Sequence, residues 1–166
     1  EEGIKVYAWD NEKGEAAYVS GLTGISNPSY QVVSADGERV YSVGEDDGLT
    51  STVHALTFDK ANGKLSLMNS QLTQGGAPCY INISPNGKFV ITANYVGANI
   101  SVIPLEASGR LNENVKAFAF EGEGVVKERQ SQPHLHCVEF TPDGRFLLAN
   151  DLGTDKIHVF PLTSEG

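Results

Sequence analysis

The amino-acid sequence predicts an all-β protein, and more narrowly part of a β-propeller made of four-stranded antiparallel blades. A short segment of alternating apolar residues that ends in Asp-Gly or Asn-Gly occurs three times, with its turn glycines at Gly37, Gly87 and Gly144. Such pairs are the strongest local signal for a β-hairpin, because both residues tolerate positive φ. The repeat is therefore about 50 residues long, which is typical of a propeller blade. No stretch of useful length has helical periodicity.

Each repeat contains the pattern of four short strands. The first strand leads into the Asp-Gly or Asn-Gly turn, in segments 28–37, 78–87 and 135–144. The second strand follows that turn, at 40–43, 89–93 and 146–150. The third strand comes after a polar loop, at 53–58, 100–105 and 157–162. A glycine then opens a turn to the fourth strand, at Gly63, Gly109 and Gly166. In the first repeat this fourth strand is at 64–67.

The domain organisation follows from counting these repeats. We expect residues 1–166 to be part of a single propeller domain, in which 1–14 supplies a strand of a preceding blade. The blade repeats are then 15–63, 64–109 and 110–166. A propeller ring closes with about 4–8 blades, so the remaining blades are required to complete it. We therefore expect the 166-residue chain to be inactive by itself.

Composition excludes several classes of protein. Hydrophobic residues make up 40% and charged residues 20% of the chain, which predicts a packed core rather than disorder. The net charge of −9 repels phosphates, so we expect binding neither to nucleic acid nor to an anionic membrane surface. No apolar run approaches the roughly 18 residues of a membrane span. The sequence starts at Glu1 with no apolar leader segment, so either a leader was removed or the ends were trimmed. We expect a cytoplasmic protein, or a periplasmic one if a leader peptide was removed.

The two cysteines predict neither a disulfide scaffold nor a Cys-based zinc site. Cys79 and Cys137 lie in neighbouring repeats and lack the close pairing of zinc ligands. We expect equivalent positions of two blades to be too far apart for a disulfide, so both cysteines should be reduced thiols.

Equivalent positions of successive blades form a ring around the central channel, so polar residues at such positions are candidates for function. Ser29, Cys79 and His136 occupy one position, just before the first alternating strand. A second position, just after the next strand, is occupied in turn by Gly44, Asn94 and Asp151. Because residue type changes between repeats at both positions, we expect these residues to face something other than a neighbouring blade. The alternative for Asn94 and Asp151 is structural, since both residue types cap strand ends and turns.

The segment Pro133-His134-Leu135-His136 is the sharpest local signal. On an extended chain its two histidines share one face, and near neutral pH either could act as a general base on water. The spacing also suits metal ligation, but a third ligand of obvious spacing is missing, so we predict neither metal nor cofactor. The alternative is a pair of structural histidines with local hydrogen bonds. Arg129 and Gln130 precede this pair in a long polar connection, where arginine could clamp a phosphate or carboxylate.

Several motifs, taken in order along the chain, resemble those of the seven-bladed propeller lactonases. This family includes bacterial 6-phosphogluconolactonases and fungal carboxy-muconate cyclases. The matching motifs are GGAPC at 75–79, SPNGKF at 84–89, ANY at 93–95, ERQ at 128–130, PHLH at 133–136, FTPDGRF at 140–146 and DLGTDKI at 151–157. The resemblance implies about three blades of a seven-bladed ring.

The resemblance also implies an activity and a set of site residues. It implies hydrolysis of a sugar-acid δ-lactone, with 6-phosphogluconolactone as the first candidate and no cofactor. His136 would be catalytic, by deprotonating or orienting water. His134 is the second residue expected to be catalytic. Residues expected to bind substrate are Arg129, Gln130, Asn94 and Asp151. The alternatives are a lactonising isomerase of the muconate cyclase type and a non-catalytic propeller scaffold.

Overall fold

The computed structural model describes residues 2–163, and among them it contains thirteen β-strands and no helix. The first two strands are β1 (Glu2–Asp10) and β2 (Glu15–Thr23). The next sheet contains β3 (Gln31–Val33), β4 (Arg39–Gly44), β5 (Thr52–Asp59) and β6 (Lys64–Leu72). It is followed by β7 (Pro78–Ile83), β8 (Phe89–Asn94), β9 (Asn99–Pro104) and β10 (Lys116–Ala119). The last sheet contains β11 (Leu135–Phe140), β12 (Phe146–Asp151) and β13 (Lys156–Pro161).

The strands form four antiparallel sheets in which neighbours along the chain are neighbours in space. The orders are β1-β2, β3-β4-β5-β6, β10-β9-β8-β7 and β11-β12-β13. Each is a simple meander, which is the architecture of a propeller blade. The predicted all-β fold of four-stranded blades is therefore confirmed, with two complete blades and two partial ones in residues 2–163.

The sheets are offset by one strand from the predicted units 15–63, 64–109 and 110–166. The reason is visible at Gly63, which has φ +69° and closes a tight hairpin between β5 and β6. This glycine therefore lies inside a sheet, and the strand after it pairs with the strand before it. In the same way β2 pairs with β1, and β10 pairs with β9. Gly166 lies outside the described residues.

The three Asp-Gly and Asn-Gly turns adopt one conformation. Gly37, Gly87 and Gly144 have φ of +69°, +67° and +68°. The amide of each donates a 2.8 Å hydrogen bond to the carbonyl three residues earlier. These turns join the first and second strands of successive sheets, so the repeats predicted from the sequence are equivalent in three dimensions.

The hydrophobic core lies between the faces of successive sheets. One cluster joins the second sheet to the third and includes Tyr41, Val53, Ile81 and Ile103. Another joins the third sheet to the fourth and includes Phe89, Ile91, Leu135, Val138 and Leu147. A smaller cluster of Ile4, Ile25, Val40 and Leu56 attaches β1 and β2. Burial of these side chains fixes the sheets face to face, with the first strands β3, β7 and β11 in contact at one edge.

The first and last sheets expose apolar side chains. In the first sheet Tyr7 and Trp9 are 51% and 61% exposed, and in the last sheet Ile157 is 63% exposed. Exposed apolar surface of this extent is typical of an interface, here at both ends of the row of sheets. None of the described residues forms a helix that is long and apolar enough to cross a membrane.

Candidate functional site

The two histidines lie at the end of the sheets where the first strands β7 and β11 begin. Two turns lie at the same end, namely 95–98 between β8 and β9 and 152–155 between β12 and β13. Hydrogen bonds connect these turns to the segments that enter the first strands: the Tyr95 amide donates to the Ala77 carbonyl at 2.8 Å, and the Leu152 amide to the His134 carbonyl at 3.0 Å. The site is therefore built from loops of two adjacent blades.

His136 occupies a β-bulge at the start of β11. In the β11–β12 ladder Leu135 pairs with Asp151 and Cys137 with Asn150, which leaves His136 as the extra residue. The β7–β8 ladder has the same irregularity, and there Cys79 is the extra residue. The two residues predicted to share a repeat position thus occupy equivalent bulges. Bulges occur often beside active sites, because the extra residue re-aims a side chain away from the regular sheet.

The His136 side chain is exposed and available for chemistry. Its ring lies edge-on to the ring of Tyr95, with centroids 5.9 Å apart and planes at 84°. Within residues 2–163 neither of its ring nitrogens has a hydrogen-bond partner. Its backbone carbonyl faces the thiol of Cys79, at 3.6 Å from Sγ. An exposed imidazole with both nitrogens free can accept a proton from water or donate one to a leaving group.

His134, by contrast, is held in one orientation. Its ring stacks on Tyr95 with centroids 4.3 Å apart and planes within 15°. Its Nδ1 lies 2.9 Å from the backbone carbonyl of Tyr95. Since a carbonyl oxygen can only accept, Nδ1 must carry the proton, and Nε2 of the neutral ring is then an acceptor. The ring of His134 is therefore restrained and the ring of His136 is exposed, although the two histidines form a pair in the sequence pattern.

Tyr95 is the residue that sequence reasoning missed. It belongs to the motif at 93–95, but no pattern in the sequence assigns it a role. In the structure it contacts both histidines, and its backbone supplies the carbonyl that fixes His134. The sequence feature that points to Tyr95 is its position directly after Asn94, one of the polar residues at strand ends.

Asp151, expected from the sequence to bind substrate, directs its carboxylate into its own turn. Its side chain is fully buried. Oδ1 accepts from the backbone amides of His134 and Gly153 at 2.8 and 2.9 Å, and Oδ2 accepts from the Thr154 hydroxyl at 2.6 Å. Nε2 of His158 lies 3.4 Å from Oδ2. The carboxylate is therefore used by its own turn and by the segment that carries His134.

Burial and hydrogen bonding act in opposite directions on Asp151. Burial raises the pKa of this carboxyl, but hydrogen bonds from Thr154, His134, His158 and Gly153 together outweigh it and leave the pKa below its ordinary value. Asp151 is thus a buried anion at neutral pH, held by donors that its own fold supplies.

Asn94 is likewise a structural residue. It is completely buried. Its Nδ2 donates to Oδ1 of Asn99 at 2.6 Å and to the hydroxyl of Ser101 at 2.8 Å, and its Oδ1 accepts from Thr92 at 2.9 Å. Both amide hydrogens and one lone pair of Oδ1 are engaged inside one sheet, so the Asn94 side chain joins β8 to β9.

Gln130 and Arg129 have different surroundings although they are adjacent. Gln130 is 6% exposed, and its Nε2 donates to the Leu152 carbonyl at 2.9 Å and to Oδ1 of Asp155 at 2.7 Å. Its Oε1 accepts from the Val126 amide at 2.9 Å. Gln130 therefore anchors the long connection to the β12–β13 turn. Arg129 is exposed, and within residues 2–163 its guanidinium has no hydrogen-bond or ion-pair partner.

An aromatic and acidic wall, consisting of Tyr30, Tyr80 and Glu139, runs across the first strands. The rings of Tyr30 and Tyr80 have centroids 4.2 Å apart, and the hydroxyl of Tyr80 donates to Oε2 of Glu139 at 3.0 Å. The pKa of Tyr80 is raised, mainly by its hydrogen bond with Tyr30 and to a smaller extent by burial. This wall offers an aromatic face and a carboxylate that can accept from hydroxyl groups, but it carries no positive charge.

A concavity lies at the other end of the sheets. It has a volume of about 660 Å³ and is lined by the turns that follow the first strands, including Asp36, Arg39 and Ser84. The histidines stand where the first strands begin, so this cleft is not their site. Among residues 2–163, no group of three or more His, Cys, Asp or Glu side chains is arranged to hold a metal ion.

Comparison with known proteins gives a consistent result over the whole chain. The sequence profile of the family described as lactonase, 7-bladed β-propeller, matches residues 1–166. The 6-phosphogluconolactonase of Bacillus subtilis is 34% identical over 161 residues, which are 97% of this chain and 46% of that protein. The chain thus spans about half the length of the curated relatives it matches.

Solved structures agree with the sequence comparison. A candidate 6-phosphogluconolactonase from Bacteroides fragilis superposes with a TM-score of 0.94 and 45% identity, covering 99% of this chain and 46% of that one. A periplasmic gluconolactonase from Pseudomonas aeruginosa gives a TM-score of 0.89 and 30% identity, covering 99% and 47%. On its fold, its repeated motifs and these matches, the chain belongs to the seven-bladed β-propeller lactonase family.

Proposed function

We propose that the protein containing this chain hydrolyses a sugar-acid lactone, with 6-phosphogluconolactone as the first candidate substrate. The observation that carries the proposal is His136, an exposed imidazole on a bulge of β11 whose two ring nitrogens are free within the described residues. The names of the relatives support the substrate class, since they include 6-phosphogluconolactonases and a gluconolactonase.

In the proposed reaction His136 acts as a general base. It takes a proton from water while the water oxygen attacks the lactone carbonyl carbon, and a tetrahedral oxyanion forms. Collapse of this intermediate breaks the ring C–O bond, and the imidazolium returns its proton to the departing alkoxide. The products are a hydroxyl group and a carboxylic acid, which ionises at neutral pH. Neither a covalent intermediate nor a cofactor enters this sequence.

The wall of Tyr30, Tyr80 and Glu139 would contact the sugar portion of the substrate. A ring face suits the apolar C–H groups of a sugar, and the Glu139 carboxylate can accept hydrogen bonds from its hydroxyls. Because this wall has no cation, the phosphate and the oxyanion would be held by positively charged groups of the blades that complete the ring. Arg129, exposed in the connection before β11, is a further candidate for the phosphate.

We propose a cytoplasmic location for this protein, with the periplasm as the alternative. The alternative is supported by one structural neighbour, which is a periplasmic gluconolactonase. Phosphorylated sugars favour the first location, so the substrate preference measured below also bears on the compartment.

The test compares lactone hydrolysis by a full-length protein that contains this chain with that of its His136→Ala variant. The substrates are 6-phosphoglucono-δ-lactone and glucono-δ-lactone, and spontaneous opening is subtracted for each. Loss of a general base should lower kcat/KM by about 100-fold or more. Ser29→Ala, at the equivalent repeat position, is the matched control and should change kcat/KM by less than about 3-fold.

Two results would contradict the proposal. The first is a wild-type rate that does not exceed spontaneous hydrolysis with either lactone. The second is an unchanged rate in His136→Ala, which would make this histidine a structural residue. A rate confined to the unphosphorylated lactone would retain the reaction and replace the first candidate substrate.

A further inference from the structure

We propose that Tyr95 is a positioning residue for the histidine pair, in that its ring holds the imidazoles of His134 and His136 in fixed relative orientation. The proposal rests on the proposed function, in which His136 is the general base. It adds a residue to which neither the sequence nor the comparisons assign a role.

The first argument is the geometry of the three rings. His134 stacks on Tyr95 at 4.3 Å with planes within 15°, and His136 stands perpendicular to Tyr95 at 5.9 Å. Stacked and edge-to-face arrangements are the two favoured geometries of aromatic pairs, each contributing about 0.5–1.5 kcal/mol beyond surface burial. Tyr95 makes one of each, so it constrains both imidazoles at once. His136 is otherwise exposed and has no hydrogen bond to its ring within residues 2–163.

The second argument is that Tyr95 itself cannot move easily. Its turn is bound to the loop before β7 by two backbone hydrogen bonds, from Tyr95 to Ala77 at 2.8 Å and from Gly97 to Gly76 at 3.0 Å. A Cβ atom on Gly97 would lie only 2.7 Å from the backbone nitrogen of Gly76, so the two loops approach as closely as glycine permits. A side chain mounted on such a turn can serve as a fixed reference for flexible neighbours.

The third argument comes from the next blade, where the equivalent turn carries Leu152. The Leu152 amide bonds the His134 carbonyl just as the Tyr95 amide bonds the Ala77 carbonyl. Leu152 is 41% exposed and is not aromatic. The turn therefore needs no aromatic residue for its own conformation. Tyrosine at position 95 is explained by what its ring contacts, which is the histidine pair.

This comparison also supplies the variants for a test. Tyr95→Leu introduces the residue that the same turn already accepts in the next blade, so we expect this variant to fold. Tyr95→Phe retains the ring and removes the hydroxyl. Leu152→Ala is the matched control, because it truncates the side chain at the equivalent turn position of the next blade and keeps the backbone hydrogen bond. All are made in a full-length protein that contains this chain.

The kinetic readout is the separation of kcat from KM for lactone hydrolysis. Tyr95→Leu should lower kcat about 10- to 100-fold while KM changes by less than about 3-fold, because misplacing a reacting group by about 1 Å can cost about 100-fold. Tyr95→Phe should restore kcat to within about 3-fold of wild type. Equal kcat values in Tyr95→Leu and wild type would overturn the proposal, and so would an equal loss in Tyr95→Phe and Tyr95→Leu.

A second readout is independent of activity. Relaxation of ¹³Cε1-labelled histidines reports the mobility of each imidazole ring in solution. We expect the ring of His136 to gain mobility in Tyr95→Leu but not in Tyr95→Phe or Leu152→Ala. The ring of His134 should gain less, because its hydrogen bond to the backbone carbonyl of residue 95 is kept. If the wild type hydrolyses no lactone, the proposed function fails, and this measurement alone decides the role of Tyr95. Unchanged mobility in Tyr95→Leu would then overturn it.

Discussion

Replacing Asp151 by alanine tests whether this residue is structural or binds substrate. The substitution removes the acceptor for the buried backbone amides of His134, Gly153 and Thr154, which lie 2.8, 2.9 and 3.3 Å from Oδ1. Each buried donor left without a partner costs about 1–3 kcal/mol. Because some of these amides can recruit water into the space left by the carboxylate, we expect a total loss of about 3–5 kcal/mol in the free energy of unfolding.

The measurement is urea unfolding of full-length wild type, Asp151→Ala and Asp143→Ala. Asp143 is the control, because its carboxylate also bonds a neighbouring hydroxyl and amide, in Thr141 and Arg145, but remains in contact with water. Its replacement should cost clearly less. If Asp151→Ala costs no more than Asp143→Ala, the structural interpretation is wrong, and a loss of substrate affinity without a loss of stability would restore the role predicted from the sequence.

The lowered pKa of Asp151 adds a pH dependence to the same prediction. A carboxyl whose pKa is lower in the folded than in the unfolded protein binds a proton less readily when folded. Its contribution to stability is therefore present above the ordinary value of 3.8 and is lost as the pH falls below it toward the folded pKa. Asp151→Asn should reduce the loss of stability between about pH 5 and pH 3. An equally steep loss in that variant would contradict this account.

Two further predictions concern buried titratable groups. Burial raises the pKa of the Cys79 thiol from 9.0 to about 11, so at pH 8 its thiolate fraction should be about 100-fold lower than that of an unshifted thiol. Alkylation of Cys79 by iodoacetamide, followed by mass spectrometry, should be slower by a similar factor in the folded than in the denatured protein, and equal rates would refute it. Burial lowers the pKa of His54 below 6.5, and its ring is bonded to Thr52 and Ser70. Protonation therefore favours the unfolded state, so the free energy of unfolding should fall as the pH drops from about 7.5 to 5.5. This fall should be less steep in His54→Gln than in wild type. Identical slopes in urea titrations would contradict this prediction.

The fold class, the repeat and most of the strands follow from the amino-acid sequence. Alternating strands and Asp-Gly or Asn-Gly turns are local features, because each depends on a few residues that are adjacent in the sequence. The three turn glycines, Gly37, Gly87 and Gly144, accordingly have nearly the same φ. The sequence did not determine where one sheet ends and the next begins, because a glycine such as Gly63 marks a turn equally well within a sheet or between two sheets.

The sequence also identified the segment of the chain in which the candidate site lies. His134, His136 and the polar residues at strand ends lie at one end of two blades, as the repeat alignment predicted. Equivalent positions of a repeat lie at equivalent places in three dimensions, so this much follows from spacing alone. Residue type then indicated acid–base chemistry, since histidine titrates near neutral pH.

Which of those polar residues remain exposed depends on the packing of the blades. Asp151, Asn94 and Gln130 are buried and bonded on every polar atom, whereas His136, the extra residue of a bulge, is exposed. Tyr95 contacts His134, which is 39 residues away along the chain. Burial and hydrogen-bond satisfaction depend on such long-range contacts, and the packing of neighbouring blades creates them. A pattern read along one strand does not contain this information.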